Sequence, residues 1–350
     1  MTLFIHILNI GVTAGWLALA VMVIRLFRIP KWIRCILWGI VGVRLMVPFH
    51  WQSPLSLIPS AEVIPANIGQ NPAIQSGIPA VNGAINPVLT QQTLQGYDPV
   101  EAALSVGMII WLTGMGIMIL YSLISCLVLR IRLRQSVKAQ GNVRICDRID
   151  TPFVFGVIRP KIYLPSGMVP EQMDYVLAHE RAHIQRHDHW WKPLGYLLLT
   201  VYWFHPLLWV AYILLCRDIE SACDEKVIAA MGASYKKAYS QALLACSVHR
   251  RMILCCPVAF GELSVKSRVK AVLGYKKPAF WITAASCALC VAVVLCFLTD
   301  RSLVSISMKD TYPLPPPVQN RACRPTNVRC AAIATAQAWN SFPIPMTKER

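Results

Sequence analysis

The 24 residues from Pro193 to Cys216, PLGYLLLTVYWFHPLLWVAYILLC, carry no charged side chain and separate two clusters of metal-type ligands. Upstream, AHERAHIQRHDHWW (178–191) contains four histidines, Glu180 and Asp188. Downstream, DIESACDEKV (218–227) contains Glu220 and Asp224. An apolar run of this length can cross a bilayer, for which ~20 residues suffice. A single crossing would strand the two clusters on opposite sides. If they hold one ion together, the run must enter the membrane and return. His205-Pro206 in its middle supplies a bend, because proline removes a helical N–H and disfavours helical backbone in the residue before it.

Composition agrees with a membrane setting. The chain is 55% hydrophobic and 15% charged over 350 residues, which places it among integral membrane proteins. Its net charge of +17 is unevenly placed. No Lys or Arg occurs between Leu45 and Leu129, whereas Arg130 to Lys277 holds 22 Lys+Arg against 11 Asp+Glu. The positive-inside bias produces such a split, so the basic charge marks a cytosolic face. No RNA-binding signature or zinc-finger spacing is present, and direct nucleic-acid binding is not expected.

Four spans follow. Residues 3–24 form the first, and Arg25, Arg28, Lys31 and Arg34 after it place the N-terminus outside. Residues 32–49 return outward, with Arg44 near the outer end expected to snorkel to the headgroups. Residues 50–101, rich in Pro, Asn, Gln and Gly, read as an external loop. Residues 102–129 form the third span, anchored inside by Arg130, Arg132 and Arg134, and 279–299 form the fourth. The tail, 300–350, contains YPLPPPVQ and reads as linker-like and external, with Cys323 and Cys330 free to pair. Cys146, Cys216, Cys223, Cys246, Cys255 and Cys256 read as small buried hydrophobes in a reducing compartment.

Residues 130–278 are the one block with room for a cytosolic domain. NVRICDRIDTPFVFGVIRPKIYLP is rich in β-branched and aromatic residues between turn signals, which predicts two or three short antiparallel strands. Pro170 and Glu171 then open a helix near Val169. On that helix His179, Glu180 and His183 form H-E-x-x-H, with both imidazoles on one face able to bind one zinc ion and Glu180 placed to take a proton from water. A catalytic zinc takes three protein ligands. His189 stands where the longer H-E-x-x-H-x-x-G-x-x-H motif has its last histidine, but Arg186 replaces the glycine that would turn the chain. Glu220 is the favoured third ligand, with Asp224, four residues on, the partner of a ligand histidine's free N–H. His187 and Asp188 read as a solvated helix end. Tyr235, Tyr239, His249 and Arg217 are candidates to stabilise an oxyanion. Phe153, Val154, Phe155 and Gly156 are candidates to pair with a substrate backbone.

TPFVFGVIRPKIYLP, LAHERAHIQRHDHWWK, WFHPLLWV and DIESACDEKV together resemble the zinc metallopeptidases of the beta-lactam sensor-transducer family, antirepressors of the BlaR/MecR type. The resemblance is strong over 151–247. It implies an α-helical integral membrane protein of four spans with a cytosolic α+β, gluzincin-like zinc peptidase domain (130–278). That domain contains the re-entrant hairpin 193–216. It further implies His179, His183 and Glu220 as zinc ligands, Glu180 as general base and Asp224 as orienting carboxylate. The substrate implied is a cytosolic DNA-binding repressor, or the receptor itself, cut in response to an outside stimulus. A homodimer is left open. Well-known members carry a penicillin-binding sensor domain after the last span. About 50 residues follow Thr299 here, too few for such a domain. Two rival readings are a prenyl-protein type membrane zinc protease, which pairs the same two motifs, and a non-catalytic transducer that only binds a partner.

Overall fold

The computed structural model describes residues 1–27, 29–47, 52–58, 63–65, 68, 73–93, 99–248 and 265–301. The tail beyond residue 301, with Cys323 and Cys330, and the oxyanion candidate His249 lie outside the described residues. The chain opens with α1 (Thr2–Ile24) and α2 (Lys31–Met46), then β1 (Gln52–Ser53), α3 (Pro79–Thr93) and α4 (Pro99–Leu133). Four short strands follow: β2 (Val137–Lys138), β3 (Val143–Cys146), β4 (Phe153–Phe155) and β5 (Lys161–Pro165). Next come α5 (Pro170–Gln185), α6 (Asp188–Val201), α7 (Pro206–Met231), a 3-10 turn (Ala233–Tyr235), α8 (Lys236–Val248), α9 (Val265–Leu273), α10 (Phe280–Phe297) and β6 (Asp300–Arg301).

Among the described residues, three helical segments are long and apolar enough to cross a membrane: Thr2–Ile24, Glu101–Leu133 and Phe280–Phe297. The α2 helix has 16 residues and so spans about 24 Å, short of a ~30 Å hydrocarbon core. Arg44 near its end is not snorkelled outward. It is 4% exposed and donates from Nη1 to the Leu298 carbonyl at 3.1 Å, at the end of α10.

The segment expected to be a plain loop holds α3. Side-chain amides tie the chain before it onto the helix: Asn82 Oδ1 accepts from the Ser76 N–H at 2.9 Å and Asn86 Oδ1 from the Ile74 N–H at 2.8 Å. These contacts do not depend on hydrophobic periodicity, which is why none was legible.

α6 and α7 form an antiparallel pair. Tyr196 packs edge-on against Tyr212, the Tyr212 hydroxyl donates to the Lys192 carbonyl at 3.4 Å, and Gly195 lies against Tyr212 and Leu215. The chain reverses between them at 202–205, with His205 capping α7 and Pro206 at its first turn. Trp indoles satisfy the carbonyls there: Trp111 donates to Val201 O at 2.8 Å and Trp209 to Trp203 O at 2.7 Å. An apolar surrounding demands such internal pairing. On α1, Gly11 and Gly15 leave room for the reversal, since a Cβ at Gly15 would lie 3.0 Å from His205 Nε2. Leu17, Val21, Leu37, Leu199, Leu208 and Cys216 interlock α1, α2, α6 and α7 in one core.

The sheet is mixed rather than antiparallel. Its order is β2-β3-β5-β4; β5 runs parallel to β3 and antiparallel to β4, and β2 is antiparallel to β3. The reason is burial. Ile162 and Leu164 of β5 are 0% and 1% exposed and Tyr163, on the opposite face, is 7% exposed. A strand buried on both faces takes a central place, and parallel pairing suits that position. Each such Ile or Leu contributes about 1.5–3 kcal/mol by leaving water. β4 is left at the sheet edge, beside α5.

Candidate metal centre

α5 begins as its sequence dictates, with Pro170 at the first helical position and Glu171 in the first turn. His179 and His183, one turn apart, present their Nε2 atoms 3.2 Å from each other. The return of α7 brings Glu220 to them, with Oε2 at 3.4 Å from His179 Nε2 and Oε1 at 3.6 Å from His183 Nε2. Tetrahedral zinc with arms near 2.05 Å has ligand–ligand edges of about 3.3 Å. The two imidazole nitrogens are spaced near that edge, and each meets a different oxygen of the Glu220 carboxylate at a similar distance, so the three side chains could supply donors to one ion.

The outward ring nitrogens are held as such an ion requires. His183 Nδ1 lies 2.8 Å from Asp188 Oδ2. His179 Nδ1 lies 2.8 Å from the Tyr239 hydroxyl and 3.3 Å from Asp224 Oδ1, and Tyr239 donates to Asp224 at 2.7 Å. A proton on each Nδ1 leaves each Nε2 lone pair facing the centre. Glu180 is buried beside them and lines the same cavity.

Asp188 is thus no solvated helix end. It is 2% exposed and also accepts from Arg186 Nε at 3.4 Å and the Cys223 thiol at 3.1 Å. The chain turns at His187, whose φ of 59° is left-handed without being glycine, and this break swings Asp188 under His183. His189 follows the turn but stays outside the donor set. Its ring stacks toward His187, and its Nδ1 has no partner among the described residues. His183 Nδ1, Asp188 and Cys223 form a second compact group of ligand-type atoms on the far side of the His183 ring.

Two cations border the centre that sequence reasoning did not single out. Lys192 Nζ lies 2.8 Å from Glu220 Oε1. Arg268 on α9 grips Asp224 through Nε and Nη2 at 2.9 Å each, reaches Glu220 Oε2 at 3.3 Å, and places Nη2 3.2 Å from His179 Nε2. Nothing in the spacing of SVKSRVK marks Arg268; its arrival depends on α9 packing against α7 and α8. Burial pushes the Glu220 carboxyl up, but Lys192, His183 and Arg268 outweigh it and hold the group well below the usual range. Asp224 is likewise lowered, burial being overcome by Arg268 and His179. For His179, burial pulls down, yet the contacts with Asp224 and Glu220 raise its pKa to about 9.

A cavity of about 560 Å³ opens on this centre. β4 forms one wall through Phe153, Val154, Phe155 and then Gly156, while Ile119 and Leu123 of α4 and Tyr196 and Leu197 of α6 make an apolar floor. Gly156 has φ 113°, and a Cβ there would lie 2.8 Å from the Arg159 carbonyl, so only glycine suits the corner between β4 and β5. Tyr239 is the one oxyanion candidate within hydrogen-bond reach of a donor histidine among the described residues. Tyr235 packs on Tyr175, and Arg217 is exposed.

A family profile described as BlaR1 peptidase M56 matches residues 5–272. The methicillin resistance mecR1 protein of Staphylococcus aureus is 26% identical over 149 residues, covering 40% of this chain and 26% of the relative. The regulatory protein BlaR1 of Bacillus licheniformis is 29% identical over 176 residues, covering 48% of this chain and 29% of the relative. The aligned stretches therefore span less than a third of those relatives' length.

Proposed function

The chain belongs to the BlaR1 peptidase M56 family, a family of metallopeptidases, and on that premise we propose that it is a zinc endopeptidase cutting a cytosolic protein beside the membrane. The observation that carries the reading is the convergence of His179 Nε2, His183 Nε2 and the two Glu220 carboxylate oxygens, with contacts of 3.2–3.6 Å between the side chains, a two-His, one-carboxylate donor set of the kind catalytic zinc takes. Bound zinc supplies Lewis acidity and makes water nucleophilic near neutral pH. The protein does the rest. Glu180 takes the proton of the attacking water at its carboxylate and hands it to the leaving amine. Asp188 and the Asp224–Tyr239 pair keep the two imidazoles in the tautomer and orientation that face the centre. Lys192 fixes one oxygen of Glu220. The apolar floor excludes bulk water, and the exposed edge of β4 takes the substrate backbone by strand addition.

The same reading sets a topology. With the N-terminus outside and the basic block inside, α1, α4 and α10 cross the membrane, and residues 32–49, of which α2, about 24 Å long, supplies most, return the chain outward as the fourth span. Pro193–Cys216 is a hairpin that enters and leaves on the cytosolic side, carrying Glu220 back to the histidines. The substrate is a DNA-binding repressor or the chain itself, cut in response to an external stimulus, in line with the name of one relative, the regulatory protein BlaR1.

Glu180→Gln tests the assignment. Purified variant protein should retain stoichiometric zinc, measured by elemental analysis, while cleavage of a proteome-derived peptide library is abolished. Retained cleavage, or a wild type with no stoichiometric zinc, overturns it.

A further inference from the structure

The candidate chemistry sits on α5 and α7, but α7 is gripped equally firmly from its other side. Asp218 precedes Glu220 by two residues, which turns it roughly 200° around the helix. It is 1% exposed. Its carboxylate accepts from Arg25 Nε at 2.8 and 3.1 Å and from the Trp38 indole at 2.9 Å, and Arg34 Nη1 stands 3.8 Å away. Arg25 ends α1, while Arg34 and Trp38 lie in α2. A second tie reaches the other donor: Arg186 Nη2 contacts Cys35 Sγ at 3.4 Å, and the same guanidinium contacts Asp188, which holds His183. The helix that carries Glu220 and the carboxylate that holds His183 are therefore both tied to residues 34–38 of α2, the first tie being shared with Arg25 at the end of α1.

The far end of α2 is fastened too. Arg44 donates to Leu298 O, the Ser56 hydroxyl to Thr299 O at 2.6 Å and the Leu57 N–H to Cys296 O at 2.9 Å. β1 pairs with β6 in the same place. The end of α10 is thus clasped to α2 and the segment after it, with Arg44 about 9–15 Å along α2 from Trp38 and Arg34 of the Asp218 latch.

We infer that α2 is a strut joining the end of α10 to the donor triangle, and that Asp218 is the positioning residue through which α2 sets the place of Glu220. A buried carboxylate with several donors cannot lose them cheaply, so a shift of α2 drags α7 rather than breaking the latch. Packed helices switch between discrete arrangements, and about 1 Å at Glu220 suffices to spoil a triangle with edges of 3.2–3.6 Å. Any partner or segment that displaces residues 52–58 or 298–301 would act on the centre this way. The inference rests on the metal reading above.

The test uses the full chain in lipid nanodiscs, with zinc affinity read by competition with a chromogenic chelator. Asp218→Asn should weaken zinc binding roughly 10- to 100-fold although it touches no donor, and Asp218→Glu, which keeps the charge, should recover most of it. Arg25→Gln removes the latch from the opposite side at a residue whose side chain is 27% exposed, so it tests the idea even if the Asp218 variants fail to fold. It should shift affinity the same way, and the double variant should bind no more weakly than Asp218→Asn alone. Ser56→Ala, which opens the outer clasp, should speed amide exchange at 217–224. Zinc affinity within twofold of wild type in Arg25→Gln and in every folded Asp218 variant overturns the positioning role, and unchanged exchange in Ser56→Ala overturns the strut. A wild type that binds no zinc sinks the metal reading itself, and this inference with it.

Discussion

Asp188→Asn is the sharpest probe of the centre, because no spacing rule points to that residue. The 2.8 Å contact between Asp188 Oδ2 and His183 Nδ1 is charge-assisted and buried. Such a bond contributes about 1.5–3 kcal/mol, a neutral one about 0.5–1.5 kcal/mol. Asparagine keeps an acceptor but loses the charge, so the loss should be about 1–1.5 kcal/mol, or a five- to tenfold weaker zinc affinity. Asp188→Ala leaves the buried Nδ1–H unpaired at a further cost of about 1–3 kcal/mol, which brings the loss to about 2–4.5 kcal/mol, or about 30-fold at the least. Chelator competition on the purified protein measures both. Cys223→Ala is the control: its thiol donates to Asp188 at 3.1 Å and lies 3.2 Å from His183 Nδ1, on the ring nitrogen that faces away from the donor set, so its loss should change affinity by less than about twofold. If Cys223→Ala abolishes binding while Glu220→Gln retains it, the ion lies on the far side of the His183 ring and the triangle argument is wrong.

Three more outcomes follow from the geometry. His179 is raised from 6.5 to about 9, so its proton stabilises chelator-treated protein fully below pH 6.5, and that contribution is lost as pH rises through about 9. Zinc competes with the same proton, hence its affinity should climb by up to about tenfold per pH unit and level off near pH 9; a flat profile refutes this. Arg268→Gln should tighten zinc binding about tenfold by removing a like charge 3.2 Å from His179 Nε2, and weaker binding would mean that its grip on Asp224 matters more. Gly156→Ala should cost about 1–3 kcal/mol at the β4–β5 corner, seen as a lower unfolding temperature and weaker peptide binding.

How much was legible divides along the range of the interactions. His179 and His183 share a face by helical spacing alone, Pro170 fixes where their helix starts, and Glu220 and Asp224 repeat the one-turn spacing on α7. These are relations within a few residues, written directly in the chain. The requirement that the apolar run turn back also came from sequence, as the consequence of placing Glu220 beside two histidines across 24 uncharged residues.

The supporting groups were not legible, because each arrives from an element that local rules cannot orient. Asp188 reaches His183 only through a left-handed His187. Tyr239 and Arg268 come from α8 and α9, Lys192 faces Glu220 because α6 and α7 pack antiparallel, and the order of the strands follows from which one is most buried. Sequence thus determined the candidate donors and the helices that carry them. Tertiary packing decided their hydrogen-bond partners, the charges around them and the brace behind them, since a buried polar group is satisfied by whichever neighbour the fold delivers within about 3 Å.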